Sequence, residues 1–334
     1  MIEKPASWPL AGVCRDDVLS GVLRTIRLSG SLQFCFAPAG DWQTAGERGL
    51  ASLADDPSVA IPFHILVEGA CWLRLEGREI QLTAGDVVAF PFATGHQLGV
   101  GAGGALLSPV ENLPPKPWRE VPIVRHGDGQ ASARLLCGYL HCDAVRFRPL
   151  RDALPTLMHV RTTGADDAGW LRATIAQMEA EVAQGRPGAL SMLERLTEIL
   201  FIELLRLQVV AAGGAATGWL AALADPALGR CLALIHDDPQ RDWSVRELSA
   251  GAAVSRSVLT ERFETLLRTS PMRYVRDWRL CLASVALTTT AKSIADIAYE
   301  AGYGTEAAFS RAFSRTYGMP PATWRNAVKR GVAA

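Results

Sequence analysis

Two polar surfaces in the second half of this 334-residue chain have the residue types and spacing to read a nucleic-acid duplex. One is Arg256, Ser257, Thr260 and Glu261. The other, about fifty residues on, is Thr305, Glu306, Ala307, Ser310 and Arg311. Arg311 carries the sharpest chemistry, because a guanidinium can donate two parallel hydrogen bonds to guanine, worth about 1–3 kcal/mol of discrimination. Glu261 near DNA must find a cytosine amino group or an arginine; otherwise it repels phosphate. Arg256, Arg268, Lys292 and Arg315 suit phosphate contacts, which set register without reading sequence. In the first half, Cys35 and Cys137 are thiols flanked by bulky apolar residues, a context for metal binding, oxidant sensing or plain packing.

The elements that must present the polar surfaces form a tandem pattern. Ser244 and Ser293 have the form of helix N-caps, each followed three positions later by a carboxylate, Glu247 or Asp296, able to meet free N–H groups. Gly251 and Gly302 sit where the chain must leave that short helix, a place suited to left-handed backbone. Ser255 and Thr305 cap the next helix. On it Val258, Leu259 and Phe263, or Ala308, Phe309 and Phe313, recur at helical intervals and form the stripe to be buried. Val245 and Leu248 correspond to Ile294 and Ile297 at an offset of 49, and Leu259 and Phe263 to Phe309 and Phe313 at 50, so the turn has gained one residue. A long helix from Pro271 to Leu287 is expected between the two copies.

This pattern, from Leu228 to Arg325, resembles the DNA-binding domain of AraC/XylS transcription regulators. Its second half is the more specific, from Ile294 to Tyr303 and from Phe309 to Pro321. The resemblance implies two helix-turn-helix units on one joining helix, with recognition helices in successive major-groove segments of double-stranded DNA. It places Ser257, Thr260, Glu261, Glu306, Ala307 and Arg311 at base-facing positions.

Basic and acidic residues balance at 34 each, but residues 225–334 hold 15 basic against 11 acidic side chains. An excess of four is modest for a DNA binder, so groove contacts and pairing of two copies should supplement counterion release. No signal-like apolar run follows Met1, and the most apolar stretch, Ile199 to Ala212, is short and carries Glu203 and Arg206. A cytoplasmic protein with no membrane partner is the expectation.

The first half alternates rather than following a helical period. Ser31–Phe36, Pro62–Val67, Cys71–Leu75, Glu79–Leu82, Asp86–Phe90 and Arg134–Leu140 read as short strands of a sandwich or barrel. The stretches His64 to Gly77 and Ala84 to His96 resemble the two motifs of the cupin barrel, including its Gly-Asp turn and its Gly-His. The resemblance covers roughly residues 15–160 and implies ligand positions at His64 and His96. Leu66 stands where a further histidine would follow and Glu68 is the only acidic candidate nearby, so the three-histidine iron site is incomplete. If Cys35 and Cys137 point inward beside His64 and His96, the four make a Cys2His2 zinc site or, through the thiols, an oxidant sensor.

Between these parts, Leu171, Ile175, Met178 and Val182, then Leu193, Leu196, Leu200, Leu204 and Leu207, mark two helices that form core or a dimer seam. Gly213 to Gly218 reads as a hinge. The expected architecture is α+β and multidomain: a cupin-like β-barrel sensor at 15–160, a helical connector with dimerisation surface and hinge at 161–218, and an all-α tandem helix-turn-helix domain at 225–330. The expected function is a homodimeric regulator answering a small molecule, metal or oxidant, with RNA polymerase as a further partner if it activates. The alternative is a metal-dependent cupin enzyme fused to a DNA-targeting domain.

Overall fold

The computed structural model describes residues 18–25, 28–44, 49–54, 57–142, 147–162, 169–212 and 217–329. They form two compact units: residues 28–145 with 154–208, and residues 146–153 and 209–329 together with those before 28. Of the expected hinge from Gly213 to Gly218, residues 213–216 lie outside the described residues. In order, the elements are α1 (Val18–Thr25), β1 (Leu28–Pro38), β2 (Trp42–Thr44), β3 (Ala60–Leu75), β4 (Arg78–Thr83), β5 (Val87–Ala89), β6 (Gln97–Val100), β7 (Ala105–Leu107), β8 (Ile123–His126), β9 (Ala133–Cys142), α2 (Arg148–Arg151), β10 (Met158–Val160), α3 (Gly169–Gln184) and α4 (Ala189–Ala212). The helical array continues with α5 (Trp219–Ala224), α6 (Pro226–Asp237), α7 (Val245–Gly251), α8 (Arg256–Leu267), α9 (Pro271–Thr289), α10 (Ile294–Glu300), α11 (Glu306–Tyr317) and α12 (Pro321–Lys329).

The sheet unit is a curled, cupin-like sheet. Its main path runs β7-β2-β6-β3-β9-β1-β8, with β4 and β5 also paired to β3 and β10 to β5. Two segments read separately in the sequence, Pro62–Val67 and Cys71–Leu75, are one strand, β3, which bends between two pairings. Its first part pairs with β9 and β5, its last with β4 and β6. The bend coincides with a register shift between Leu66 and Glu68, followed by Gly69 at φ +82°. A Cβ on Gly69 would lie 2.3 Å from the Ser132 carbonyl oxygen, so glycine is required there both for conformation and for the neighbouring strand. Phe34, Phe36, Leu66, Leu73, Phe90, Leu98 and Leu135 fill the inner face. Over β1 lies α4, close enough that a Cβ on Gly30 would come within 2.5 Å of the Thr197 Cβ.

The connector helices run over Gly169–Gln184 and Ala189–Ala212, and their stripe is chiefly core: Leu171, Ile175, Met178, Leu193, Leu200 and Leu204 are buried. Another side of α4 carries Met192 and Ile199, each nearly half exposed.

In the helical unit both predicted capping boxes form. Ser244 accepts from the Glu247 N–H while Glu247 accepts from the Ser244 N–H, and Ser293 and Asp296 repeat the exchange. Ser255 and Thr305 accept from Val258 and Ala308 at the starts of α8 and α11. Leu248, Leu259 and Phe263 in one copy, and Ile297, Phe309 and Phe313 in the other, are buried. The joining helix α9 ends two residues beyond the predicted stretch; it buries Tyr274, Val275 and Trp278 near one end and Ala283 and Leu287 near the other.

A segment from the first half of the sequence completes this core. Phe147, directly before α2, is buried with its ring 5.0–6.5 Å from Trp219, His236, Tyr274 and Trp278. The indole N–H of Trp219 donates to the Tyr274 oxygen at 2.7 Å, leaving the tyrosine proton for Nε2 of His236, also at 2.7 Å.

The two copies differ at the turn. Gly302 takes the left-handed conformation as expected, at φ +81°, but Gly251 does not; it is the last residue of α7, and the left-handed residue of the first copy is Ala253 at φ +56°. Ala253 stands 49 positions before Gly302, so the inserted residue follows the turn and the repeat aligns through it. A Cβ in that conformation costs about 1–2 kcal/mol, partly offset by the greater unfolded-state freedom of glycine. Ala253→Gly is therefore expected to raise the thermal midpoint of the helical unit; an unchanged or lower midpoint would show that the turn carries no strain.

Candidate functional site

The first recognition surface is set by α8. Its N-cap Ser255 fixes where the helix begins, and burial of Leu259 and Phe263 turns Arg256, Ser257 and Glu261 outward. Thr260 is half-buried and returns its hydroxyl proton to the Arg256 carbonyl at 2.9 Å, while Ser257 shares a 2.9 Å bond with Ser255. Arg262, on the flank, is committed elsewhere: it pairs with Asp225, the cap of α6. Arg268 ends α8 in a left-handed conformation and is exposed.

The second surface is cleaner. Burial of Phe309 and Phe313 leaves Glu306, Ala307, Arg311 and Arg315 exposed, with Ser310 half-buried between them and Thr305 serving as the cap. Among the described residues Arg311 makes no hydrogen bond or ion pair, so its guanidinium is free to meet a partner. Lys292, by contrast, is paired with Glu300 at 2.6 Å.

Inside the sheet unit, β1, β3, β9 and the loop between β5 and β6 bring two aromatic rings and three polar groups to one cavity of about 380 Å³, lined among others by Phe34, Phe36, His64, His96, Leu98 and Cys137. Strand register decides the membership. His64 and Phe34 both face Cys137 across β9, whereas Cys35 faces Leu136 and therefore points to the opposite side of the sheet. Three of the four residues expected to converge do so, and Cys35 does not. The sequence places Cys35 and Cys137 on two separate strands, which the fold makes neighbours; only the register, shifted between Leu32 and Phe34, settles which face each takes.

The three are tied into a directional chain. His96 Nδ1 lies 2.9 Å from the Thr94 carbonyl, which can only accept, so that nitrogen carries the proton. His96 Nε2 is then the acceptor for His64 Nε2–H at 2.8 Å, which leaves His64 Nδ1 to accept the Cys137 thiol proton at 3.1 Å. Thr94, the terminus of this chain, carries no motif signal beyond its place two residues before His96. The His96 ring also stacks on Phe90 at 3.6 Å. Burial pushes His96 down to about 4 and His64 well below its ordinary range, with mutual repulsion adding to the latter. Burial likewise pushes the Cys137 thiol well up, so it is held protonated and its nucleophilicity is suppressed.

This donor set does not fit a zinc ion. His64 spends one ring nitrogen on Cys137 and the other on His96, so the prospective ligands satisfy each other rather than a shared centre. Among the described residues no group of three or more His, Cys, Asp or Glu side chains is arranged to hold a metal. Cys35 therefore leaves the expected Cys2His2 set, and His64, His96 and Cys137 form a neutral Cys-His-His relay.

Neutral buried histidines make stability depend on pH. The unfolded chain takes up protons as pH falls through about 6.5, while the fold resists until about 4 at His96 and about 3 at His236, which is likewise lowered by burial. Their contribution is thus complete above the unfolded value and is lost as pH falls toward the folded ones. Unfolding free energies from urea titration should drop between about pH 7 and about pH 5, with a slope approaching about 1.4 kcal/mol per pH unit for each histidine below about pH 6.5, and His96→Phe should lessen that slope. A midpoint independent of pH across this window would contradict the neutral assignment.

Comparison with known proteins agrees with both halves. A cupin family profile matches residues 17–209 and a helix-turn-helix domain profile matches residues 248–327. An AraC-like transcription regulator of Streptomyces lividans is 32% identical over 320 residues, covering 92% of this chain and 98% of the relative. One from Streptomyces antibioticus is 30% identical over 317 residues with the same coverage. Among solved structures, ToxT from Vibrio cholerae O395 matches 91% of this chain and 98% of its own at 10% identity, with a TM-score of 0.37. With a cupin-like domain ahead of two capped helix-turn-helix units, and relatives at this identity over nearly their full length, the chain belongs to the AraC-like family of DNA-binding transcription regulators.

Proposed function

We propose that this regulator reads its DNA through the exposed faces of α8 and α11 and answers a small molecule held in the cavity of the sheet unit. The observation that carries the first part is the unpaired Arg311 on a helix whose start and rotation are fixed by Thr305, Phe309 and Phe313. In this reading Arg311 contacts guanine. Ser257, Thr260, Glu261, Glu306 and Ala307 face neighbouring bases, with Thr305 and Ser310 at the margin of that surface, and Arg256, Arg268 and Arg315 hold phosphates. Lys292 is a weaker phosphate candidate because its ammonium is already engaged by Glu300.

The cavity is read as a binding site rather than a centre of turnover. Its volume lies within the range of small-molecule pockets, its relay is internally satisfied, and the relatives matched over most of the chain are named as regulators. The buried thiol of Cys137 also favours ligand binding over oxidation as the signal. Whatever fills the cavity must stabilise one arrangement of the chain over another in order to regulate.

Pairing of two copies is supported by the side of α4 bearing Met192 and Ile199, and by the modest basic excess of residues 225–334, which leaves one copy little electrostatic affinity. RNA polymerase is the further partner if the outcome is activation. No described helix is long and apolar enough to cross a membrane. A DNA target supports the reading of a cytoplasmic protein.

Arg311→Ala is expected to weaken binding to the protein's own upstream DNA by about 1–3 kcal/mol and to relax preference at one base pair in a random-site selection. Equal loss on every duplex would reduce Arg311 to a phosphate contact. Wild-type protein that failed to prefer its own upstream DNA over random duplex at physiological salt would remove the base-reading assignments altogether.

A further inference from the structure

The chemistry of the cavity wall narrows what can occupy it, given the proposal that the effector binds there. The walls are apolar: Phe34, Phe36, Leu98 and Leu107 face the space, with Val110 at its rim. The polar floor is already consumed. Each donor in the Cys137–His64–His96–Thr94 chain has its acceptor within the protein, so no N–H or O–H of the floor waits for an incoming oxyanion. Among the described lining residues there is no lysine or arginine, and the one charged side chain is the carboxylate of Glu111.

An anionic ligand in this place would be desolvated without a counterion and would face a like charge at the rim. Such burial costs several kcal/mol unless it is repaid by pairing. Protonating His64 or His96 to supply the missing cation is opposed by their burial, and it would put a second proton on a nitrogen that must accept. A polyhydroxylated ligand is disfavoured for a related reason: it would bring more donors and acceptors than the walls can match. The polar groups left over are the hydroxyls of Thr94 and Ser108, which make no side-chain hydrogen bond among the described residues and line the same space. They suit one oxygen on the ligand.

We infer that the cavity takes an uncharged, predominantly apolar small molecule with a single hydroxyl or carbonyl group, and that it rejects carboxylates and sugars. Selectivity of this kind is built from what the wall omits: the apolar body gains by burial, and one oxygen at Thr94 and Ser108 orients it.

A matched pair of ligands tests this on the full-length protein. Octanol and octanoate differ in charge at nearly constant length, and ribose stands for the polyhydroxylated class. Calorimetric titration near neutral pH is expected to show octanol binding at least about ten-fold more tightly than octanoate, with ribose not binding. Val110→Lys places a cation at the rim and should narrow or reverse the preference, since octanoate then has a partner. Leu107→Trp fills the cavity and should abolish octanol binding, with circular dichroism and cooperative thermal unfolding checking that the fold is kept. Octanoate or ribose binding wild type as well as octanol, in a manner that Leu107→Trp removes, would overturn the inference while leaving the cavity as the effector site. Octanol binding that survives Leu107→Trp, or no binding by any of the three, would overturn both.

Discussion

The spacing and rotation of the two DNA-reading helices rest on one constraint, the two-sided burial of α9. A helix of 19 residues is about 28 Å long, comparable with the roughly 34 Å that separates successive turns of the major groove. Near its start Tyr274, Val275 and Trp278 lie in the first unit's core, and near its end Leu280, Ala283 and Leu287 form part of the second's. Two arginines stiffen the arrangement. Arg279 donates to the carbonyls of Pro239 and Arg241 before the first unit, and Arg325 donates to those of Leu287 and Lys292 at the far end of α9. These guanidiniums are spent on backbone oxygens, which explains how a region with several arginines leaves few of them for a duplex.

The sheet unit answers a different constraint, the burial of polar groups without charge. A carbonyl at Thr94 orients one imidazole, that imidazole orients the next, and the second receives a thiol proton. The result is an interior whose polar atoms partner one another, surrounded by aromatic and aliphatic walls. The same positions that a cupin enzyme would turn toward a catalytic ion are here turned toward one another.

The helical half was legible because its signals are local. Ser244 with Glu247, Ser293 with Asp296, and the 3–4 residue recurrence of Leu259 and Phe263 or Phe309 and Phe313 are each decided within one or two turns of helix. Gly251 misled for an equally local reason: a glycine near a helix end resembles a left-handed cap, but it is Ala253 that aligns with Gly302, and Gly251 instead gives room to the Leu234 methyl, which a Cβ there would meet at 2.3 Å. In the sheet half the long strands were readable by alternation and β5 within Asp86–Phe90, while β2, β7 and β10, three residues each, give too short a run for any period. The cavity depended on non-local facts. Which face Cys35 takes follows from a register shift, and the importance of Thr94 follows from a carbonyl meeting His96, neither of which has a signature in residue type.

Phe147 gives the chain a different kind of unity. It follows the strand that carries Cys137 by only a few residues, yet its ring is seated among Trp219, His236, Tyr274 and Trp278, at the root of α9. Sensor and reader modules of such regulators invite shuffling, by evolution or at the bench, at the glycine-rich stretch that joins them. Here a graft made at that seam would carry over both helix-turn-helix units but leave behind the aromatic key of their own core, so a true exchange must move three stretches of the sequence, α1, the segment around Phe147 and everything from residue 209 onward, rather than one.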